Sequence, residues 1–396
     1  MPLTRRSFLA GAGALAVRGA SGRAHPLLFL SEPDAERMRD LCGRRDPAVI
    51  RGLLKTALTA GPWSVTFHRP PGLDVAPNDY VSEAPYHWPD PKNPGGPYIR
   101  KDGEHNPDRF DANVQDLRAM CSSILSLGMG AWLLGDRACA PHASKILSVW
   151  FLDPKTRMNP NLEHGQLIRG VNTGRGAGQI DSRPLMDAAQ GLVLMELAGG
   201  IDSGVAAGVR LWYADYLKWM LESSHGQSER KAGNNHATWW TVQLAAHAGF
   251  TGNESATRTA WQRFRDYLVP VEIRPDGSCP REEERTRSLH YSSMNLDAFA
   301  LLCRLAQLDD VDLWHFRTPK GVGVETACNY LLPYYQHPEK WKRKQIDKYV
   351  PGEHYFAGLA GIGLPSPRYL TAYDRVQRIG SAWVQFIDLL IRSVRS

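Results

Sequence analysis

Two short segments concentrate the reactive side chains of this sequence: Gly233-Asn234-Asn235-His236, and Pro280-Arg281-Glu282 through Ser288-Leu289-His290-Tyr291. They hold amides, imidazoles, guanidiniums and a phenol. They offer no nucleophile paired with a base, no acid–base carboxylate pair and no metal-ligand spacing. Such a set suits removal of a proton beside a sugar carboxylate, followed by expulsion of the glycosidic oxygen. That elimination needs donors to share the carboxylate charge, a base for the carbon-bound hydrogen and an acid for the departing oxygen. Asn235 can donate its amide N–H groups to the carboxylate. Arg285 or Arg287 can pair with it, or depress the Tyr291 phenol from its ordinary value of about 10. Neutral His236 can accept a proton or donate to the carboxylate, and Tyr291 can protonate the leaving oxygen.

The elements that must position these residues are helical. Apolar residues recur at threes and fours over 111–134, 183–198, 205–221, 235–248, 255–268 and 292–305, with Gly, Pro and Asn breaks between. Val271-Glu272-Ile273 before Pro275-Asp276-Gly277 reads as a short extended piece with a turn. Successive helices with short connections predict an all-α chain, an (α/α) toroid built as an incomplete or closed barrel of helical hairpins around a groove. The Pro-, Gly- and aromatic-rich stretch 78–113 predicts a long ordered loop over one end, because disordered tracts are poor in aromatics. The stretch Asn172 to Gln179 joins two helical regions and matches no phosphate-loop spacing. The tail from Ser366 to Ser396 reads as one more amphipathic helix.

Thr4-Arg5-Arg6-Ser7-Phe8-Leu9, followed by a short apolar run to Val17, reads as a twin-arginine export signal over residues 1–24, ahead of a single domain over 25–396. The mature protein is then expected in the periplasm or secreted, with the twin-arginine machinery as a partner and no stable membrane anchor. The whole chain carries 47 basic and 41 acidic side chains; removing the four arginines before Ala24 leaves 43 against 41. So small a surplus is no footprint for nucleic acid, and a polyanion must meet a local basic cleft. The six cysteines have no paired spacing; Cys121, Cys303 and Cys328 lie in apolar helical stretches as expected buried thiols. No cofactor is implied.

The segment Asn234-Asn235-His236-Ala237-Thr238-Trp239-Trp240 resembles the Asn-Asn-His motif of the alginate lyase families, helical-toroid polysaccharide lyases that cleave uronate polymers without metal. Asp276-Gly277-Ser278-Cys279-Pro280-Arg281-Glu282 to Thr286-Arg287-Ser288-Leu289-His290-Tyr291 is similar to a second family segment. Pro85-Tyr86-His87-Trp88-Pro89-Asp90-Pro91, with Pro97 to Gly103 behind it, resembles the N-terminal signature of one branch; the likeness spans roughly residues 80 to 300. The resemblance implies Asn235 as carboxylate neutraliser, His236 as base or neutraliser, and Tyr291 as the acid or as both acid and base, assisted by Arg285 and His290. Some relatives carry the helper arginine where this chain has Glu284; the branch with the Pro-Tyr loop carries it at Arg285. Helical spacing instead puts Arg287 on the Tyr291 face.

Tyr86, His87, Trp88, Trp239 and Trp240 either stack on pyranose rings or pin the loop to the helical body. Arg175 either binds a neighbouring carboxylate or braces its loop. Arg100 and Lys101 are expected in solvent. The function expected is cleavage of an anionic uronate polysaccharide, alginate first and a glucuronan-like polymer second, leaving 4,5-unsaturated uronate ends. One alternative is a helical-toroid glycoside hydrolase, kept open by Glu282, Glu283 and Glu284, which read mostly as a solvated face or arginine partners. The other is a non-catalytic anionic-glycan-binding protein.

Overall fold

A computed structural model describes residues 27–45, 47–364 and 366–395, so the expected export segment lies outside the described residues. The chain opens with α1 (Glu32–Arg44) and α2 (Ala48–Ala57), then an irregular stretch carrying β1 (Val81–Glu83), β2 (His87–Trp88) and β3 (Ile99–Arg100). Next come α3 (Ala112–Leu134), α4 (Cys139–Leu147), β4 (His164–Leu167) and α5 (Leu185–Leu197). The middle holds α6 (Ser203–Glu222), α7 (Ser224–Arg230), α8 (Asn235–Thr251) and α9 (Glu254–Arg263). The rest is α10 (Val269–Glu272), α11 (Pro280–Glu283), α12 (Ser288–Leu308), α13 (Val324–Gln336), α14 (Phe356–Gly363), α15 (Pro367–Asp374) and α16 (Ala382–Arg395).

The helices make an (α/α) toroid. An inner ring closes on itself: α3 packs on α5, α5 on α8, α8 on α12, α12 on α14, α14 on α16, and α16 returns to α3. Helices α2 and α4 back α3, α6 and α9 back α8, and α13 and α15 back α14. Ring helices are enclosed on most sides, which is why α8 is buried nearly all round from Ala237 to Phe250, its polar Thr238, Thr241, Gln243 and His247 included. The α3–α5 contact is close enough to demand glycine: a Cβ on Gly128 would sit 2.3 Å from the carbonyl oxygen of Gly191. Helix α3 is long and apolar enough to cross a membrane, but most of it is buried inside the ring.

The long stretch before α3 is ordered, as its aromatics predict. β1 pairs in parallel with β4, and β2 pairs antiparallel with β3 through His87 opposite Arg100 and Trp88 opposite Ile99. This places the 81–100 hairpin over the N-terminal ends of α8 and α12. Three local expectations are corrected. Residues 269–272 continue helically instead of forming an extended piece. The tail forms two helices, α15 and α16, because Gly380 takes a left-handed backbone (φ 119°) and Arg378 ties the intervening turn to the carbonyls of Tyr373, Val376 and His354. Among Glu282, Glu283 and Glu284 only Glu284 faces solvent; the other two are buried. All six cysteines are buried free thiols.

Glu272, between α8 and α12, is buried and accepts hydrogen bonds from Thr238 Oγ1 (2.8 Å) and Asn295 Nδ2 (3.0 Å). Burial pushes its carboxyl from 4.5 to about 8, against the pull of those hydrogen bonds. The folded chain therefore holds a proton there that the unfolded chain releases. The associated stability is complete below the ordinary value of 4.5 and is lost as pH rises toward about 8. Glu272→Gln is expected to flatten the fall of melting temperature between pH 5 and pH 8; an unchanged slope would show that Glu272 is not its source.

Candidate active site

The helix starts built by the two sequence segments meet in one cleft of about 420 Å³ beneath the hairpin. At the first residue of α8, Asn235 is fully buried. Its backbone N–H donates to Glu282 Oε1 (2.6 Å) and its Nδ2 to Glu282 Oε2 (2.7 Å). A carboxylate at the positive end of a helix suits the macrodipole, and it fixes the amide with one Nδ2 hydrogen left to donate into the cleft. Glu282 is thus engaged by Asn235, which is why the glutamate run does not form a solvated face.

One residue on, His236 Nδ1 lies 2.5 Å from Oε1 of Glu229, a buried carboxylate on α7. That contact places the Nδ1 hydrogen on the carboxylate side, leaving Nε2 as the nitrogen free to exchange a proton. Across the cleft, Tyr291 Oη lies 2.5 Å from Tyr86 Oη of the hairpin. The Arg285 guanidinium sits over the Tyr291 ring, 4.0 Å from its centroid. Burial, with Tyr86 beside it, pushes the phenol well above its ordinary value, and the opposing pull of Arg285 and Arg287 does not overcome this. The expected depression by cations therefore loses to desolvation, and Tyr291 rests as a neutral proton donor.

Both disputed arginines line the cleft. Helix α12 begins only at Ser288, so helical projection from Tyr291 does not reach Arg285, and the face argument against it fails. Arg285 is gripped by Asp102 at 2.7 Å from Nη2 and 3.0 Å from Nε. Asp102 also accepts from Thr286 N (3.0 Å) and Arg100 Nη2 (2.6 Å). Its burial opposes ionisation, but these donors hold the carboxyl well below the usual range. Arg287 pairs with Asp347 at 2.6 Å. Asp102→Asn is expected to lower kcat/KM by about 10- to 100-fold by loosening Arg285; activity equal to the parent would mean Arg285 needs no such support.

The remaining expected residues divide. Tyr86, His87, Arg175 and His290 line the cleft, and Arg100 joins them against expectation. Burial, with Arg175 and Arg100 nearby, lowers His87 to about 4, so it is a neutral imidazole at pH 7. Burial holds His290 still lower, helped by His354 and Arg287. Arg175 donates to the carbonyl and side-chain oxygens of Gln166 (3.1 and 2.9 Å), bracing its loop while facing the cleft. Trp88 is not in the cleft wall: its Nε1 donates to the Glu104 carbonyl and Lys101 lies 4.7 Å over its ring, pinning the hairpin. Trp239 and Trp240 do not offer stacking faces either, since α8 is enclosed; they are 4% and 0% exposed, and arginines cover their rings.

Sequence reasoning missed Glu229, Asp102, His105, Arg109, Arg118 and Arg183, all of which contact or line this site. Seven arginines face the cleft, against only Glu83 and Asp181 among carboxylates. Glu83 is paired with Arg169, and Asp181 accepts from Tyr80, Ser82 and Gln166, so neither is placed as half of a hydrolytic pair. Among the described residues, no three His, Cys, Asp or Glu side chains gather as a metal set.

A family model described as alginate lyase matches residues 74–341. An alginate lyase from Bacteroides ovatus matches with 30% identity over 93% of this chain and 98% of its own, at a TM-score of 0.85. Alginate lyase A1-III from Sphingomonas species A1 matches with 16% identity over 92% of this chain and 99% of its own, at a TM-score of 0.56. A histidine-to-alanine variant of A1-III, solved with a tetrasaccharide, matches with 16% identity over 91% of this chain and 97% of its own, at 0.55. No curated protein matches.

Proposed function

Since the chain belongs to the alginate lyase family of polysaccharide lyases, we propose that it cleaves a uronate polymer, alginate first and a glucuronan-like chain second, by metal-independent β-elimination in the arginine-lined cleft. The observation that carries this reading is the convergence of Asn235, His236, Tyr291 and Arg285 on one cleft, with Glu229 behind the histidine. Asn235 donates to the substrate carboxylate and, with Arg285, spreads the charge that develops as the C5 hydrogen leaves. His236 Nε2 takes that proton. The C4–O bond then breaks, its electron pair stays on oxygen, and Tyr291 protonates that oxygen. The Tyr291 phenolate recovers a proton from the His236 imidazolium, so both groups return to their starting states and no water is consumed.

The test is ultraviolet absorbance of the 4,5-unsaturated uronate while the purified protein acts on polymannuronate, polyguluronate, glucuronan and a neutral glycan, each with and without chelator. A rise on one uronate polymer, indifferent to chelator, is expected and names the substrate. Flat traces with new reducing ends would move the assignment to a hydrolase, and flat traces without them to a binding protein. We also propose export through the twin-arginine route, supported by Arg5-Arg6 and the apolar run behind them; a mature N-terminus near Ala24 in the periplasmic fraction or the medium is the expected result.

A further inference from the structure

One exposed loop outside the cleft gathers an unmatched positive charge. Residues 337–348 carry Lys340, Lys342, Arg343, Lys344 and Lys348 against Glu339 and Asp347. Both acids are already engaged: Asp347 pairs with Arg287 at 2.6 Å, and Glu339 Oε1 lies 3.3 Å from His337 Nδ1. Arg343 Nε lies 3.2 Å from Glu283 Oε2. Among the described residues no hydrogen bond or ion pair engages the ammonium groups of Lys340, Lys342, Lys344 and Lys348, and all four side chains are exposed.

The loop is pinned, and alternate side chains turn inward. Arg343 reaches Glu283, Gln345 Oε1 accepts from the Leu289 backbone N–H (3.0 Å), and Asp347 reaches Arg287. The backbone is tied to the start of α12 as well. The Lys344 carbonyl accepts from Ser288 N (3.1 Å) and Oγ (2.7 Å), and Ile346 N donates to the Thr286 carbonyl (3.0 Å). Lys342, Lys344 and Lys348 are thereby left on the outward side. The anchor is the same helix start that carries Tyr291, and Arg287 faces the cleft. The lysines therefore stand beside the cleft, but none of the four belongs to its wall.

Like charges held together repel, and a chain that carries negative charge along its length relieves them. We propose that Lys340, Lys342, Lys344 and Lys348 form a docking track outside the cleft for a long polyanionic chain, holding the stretch of polyuronate that extends beyond the catalytic site. The inference rests on reading the cleft as a uronate-polymer site and adds a preference for long chains. Exposed ammonium groups act over about 10 Å at 0.1 M salt. The track thus reads charge density and not the identity of the sugar.

The test is calorimetric affinity, in a full-length Tyr291→Phe background that stops turnover. The probes are long polymannuronate, long glucuronan and a tetrasaccharide of each. Lys340→Gln, Lys342→Gln, Lys344→Gln and Lys348→Gln combined should weaken polymer binding about 10-fold at low salt and leave the tetrasaccharides within about 2-fold. The difference should vanish near 1 M salt, where screening acts within about 3 Å. Replacing the same four lysines by arginine, which keeps the charge, should restore polymer binding. Unchanged tetrasaccharide affinity also shows that the glutamine set is folded. Polymer affinity that ignores the glutamine set overturns the track, as does an equal loss on polymer and tetrasaccharide, or a parent that binds neither polymer. Polymer cleavage by the otherwise wild-type chain, with polymer affinity indifferent to the lysines, would sink the track and leave the lyase reading. Lysine-dependent polymer binding by a wild-type protein that cleaves nothing would sink the lyase reading and leave the track standing.

Discussion

Tyr291→Phe is expected to lower kcat/KM on the uronate polymer by about 10³-fold or more, the upper range for loss of a positioned general acid. The substitution removes one oxygen and keeps the ring under Arg285, so affinity for an uncleaved oligosaccharide should stay within about 3-fold, the pattern of an interaction made mainly in the transition state. Its most informative consequence concerns the first half of the reaction. With His236 and its Glu229 partner intact, the variant should still exchange the C5 hydrogen for solvent deuterium without breaking the chain. Loss of both cleavage and exchange would mean that Tyr291, not His236, removes the proton. Activity within 10-fold of the parent would remove Tyr291 from the mechanism altogether.

Asn235→Asp has the second largest expected effect, and it acts on stability as well as on rate. Asn235 is fully buried, with its backbone and side-chain N–H groups on the two oxygens of Glu282 at 2.6 and 2.7 Å. An aspartate there would replace a donor with an acceptor and set two buried carboxylates against each other. It would also present negative charge to the substrate carboxylate. A loss of about 10² to 10³ in kcat/KM is expected from the missing donor, with destabilisation of about 3 kcal/mol near neutral pH from uncompensated buried charge. The pair would keep a proton in the folded state that the unfolded chain gives up. The destabilisation should therefore be small at pH 5 and grow as pH rises. Urea unfolding at pH 5 and pH 8, beside Asn235→Ala as the variant without added charge, reads this out. Equal stability of Asn235→Asp and parent at both pH values would contradict the Asn235–Glu282 geometry.

The helices were legible because their apolar spacing is strong: the expected stretch 111–134 is α3 within a residue, and 235–248 is most of α8. The candidate set was legible because Asn235, His236, Arg285 and Tyr291 sit in two compact segments, and the structure brings them to one cleft. Its support was not. Glu229 lies seven residues before His236 and ends on the imidazole only because α7 folds back on α8, and Asp102 reaches Arg285 across 183 residues of sequence. Arg118 and Arg183 look like ordinary surface charges in one dimension, and only the packing of α5 on α3 brings them to one cleft. Trp239 and Trp240 misled for the opposite reason. Aromatic residues beside a candidate catalytic histidine suggest sugar stacking, but an inner-ring helix has almost no free face, so packing claims them. The depressed phenol failed because charge was weighed without desolvation, and at Tyr291 desolvation is the larger effect.

Fragment masses after complete cleavage of a defined oligouronate test the central claim most directly, because elimination and hydrolysis differ by one water for every bond broken. The account predicts fragments whose masses sum to that of the parent chain, all but the one from the original non-reducing end carrying an ultraviolet-absorbing unsaturated end, with the reaction lost in Tyr291→Phe. Fragments heavier in total by one water per cleavage, with no unsaturated end, would contradict it.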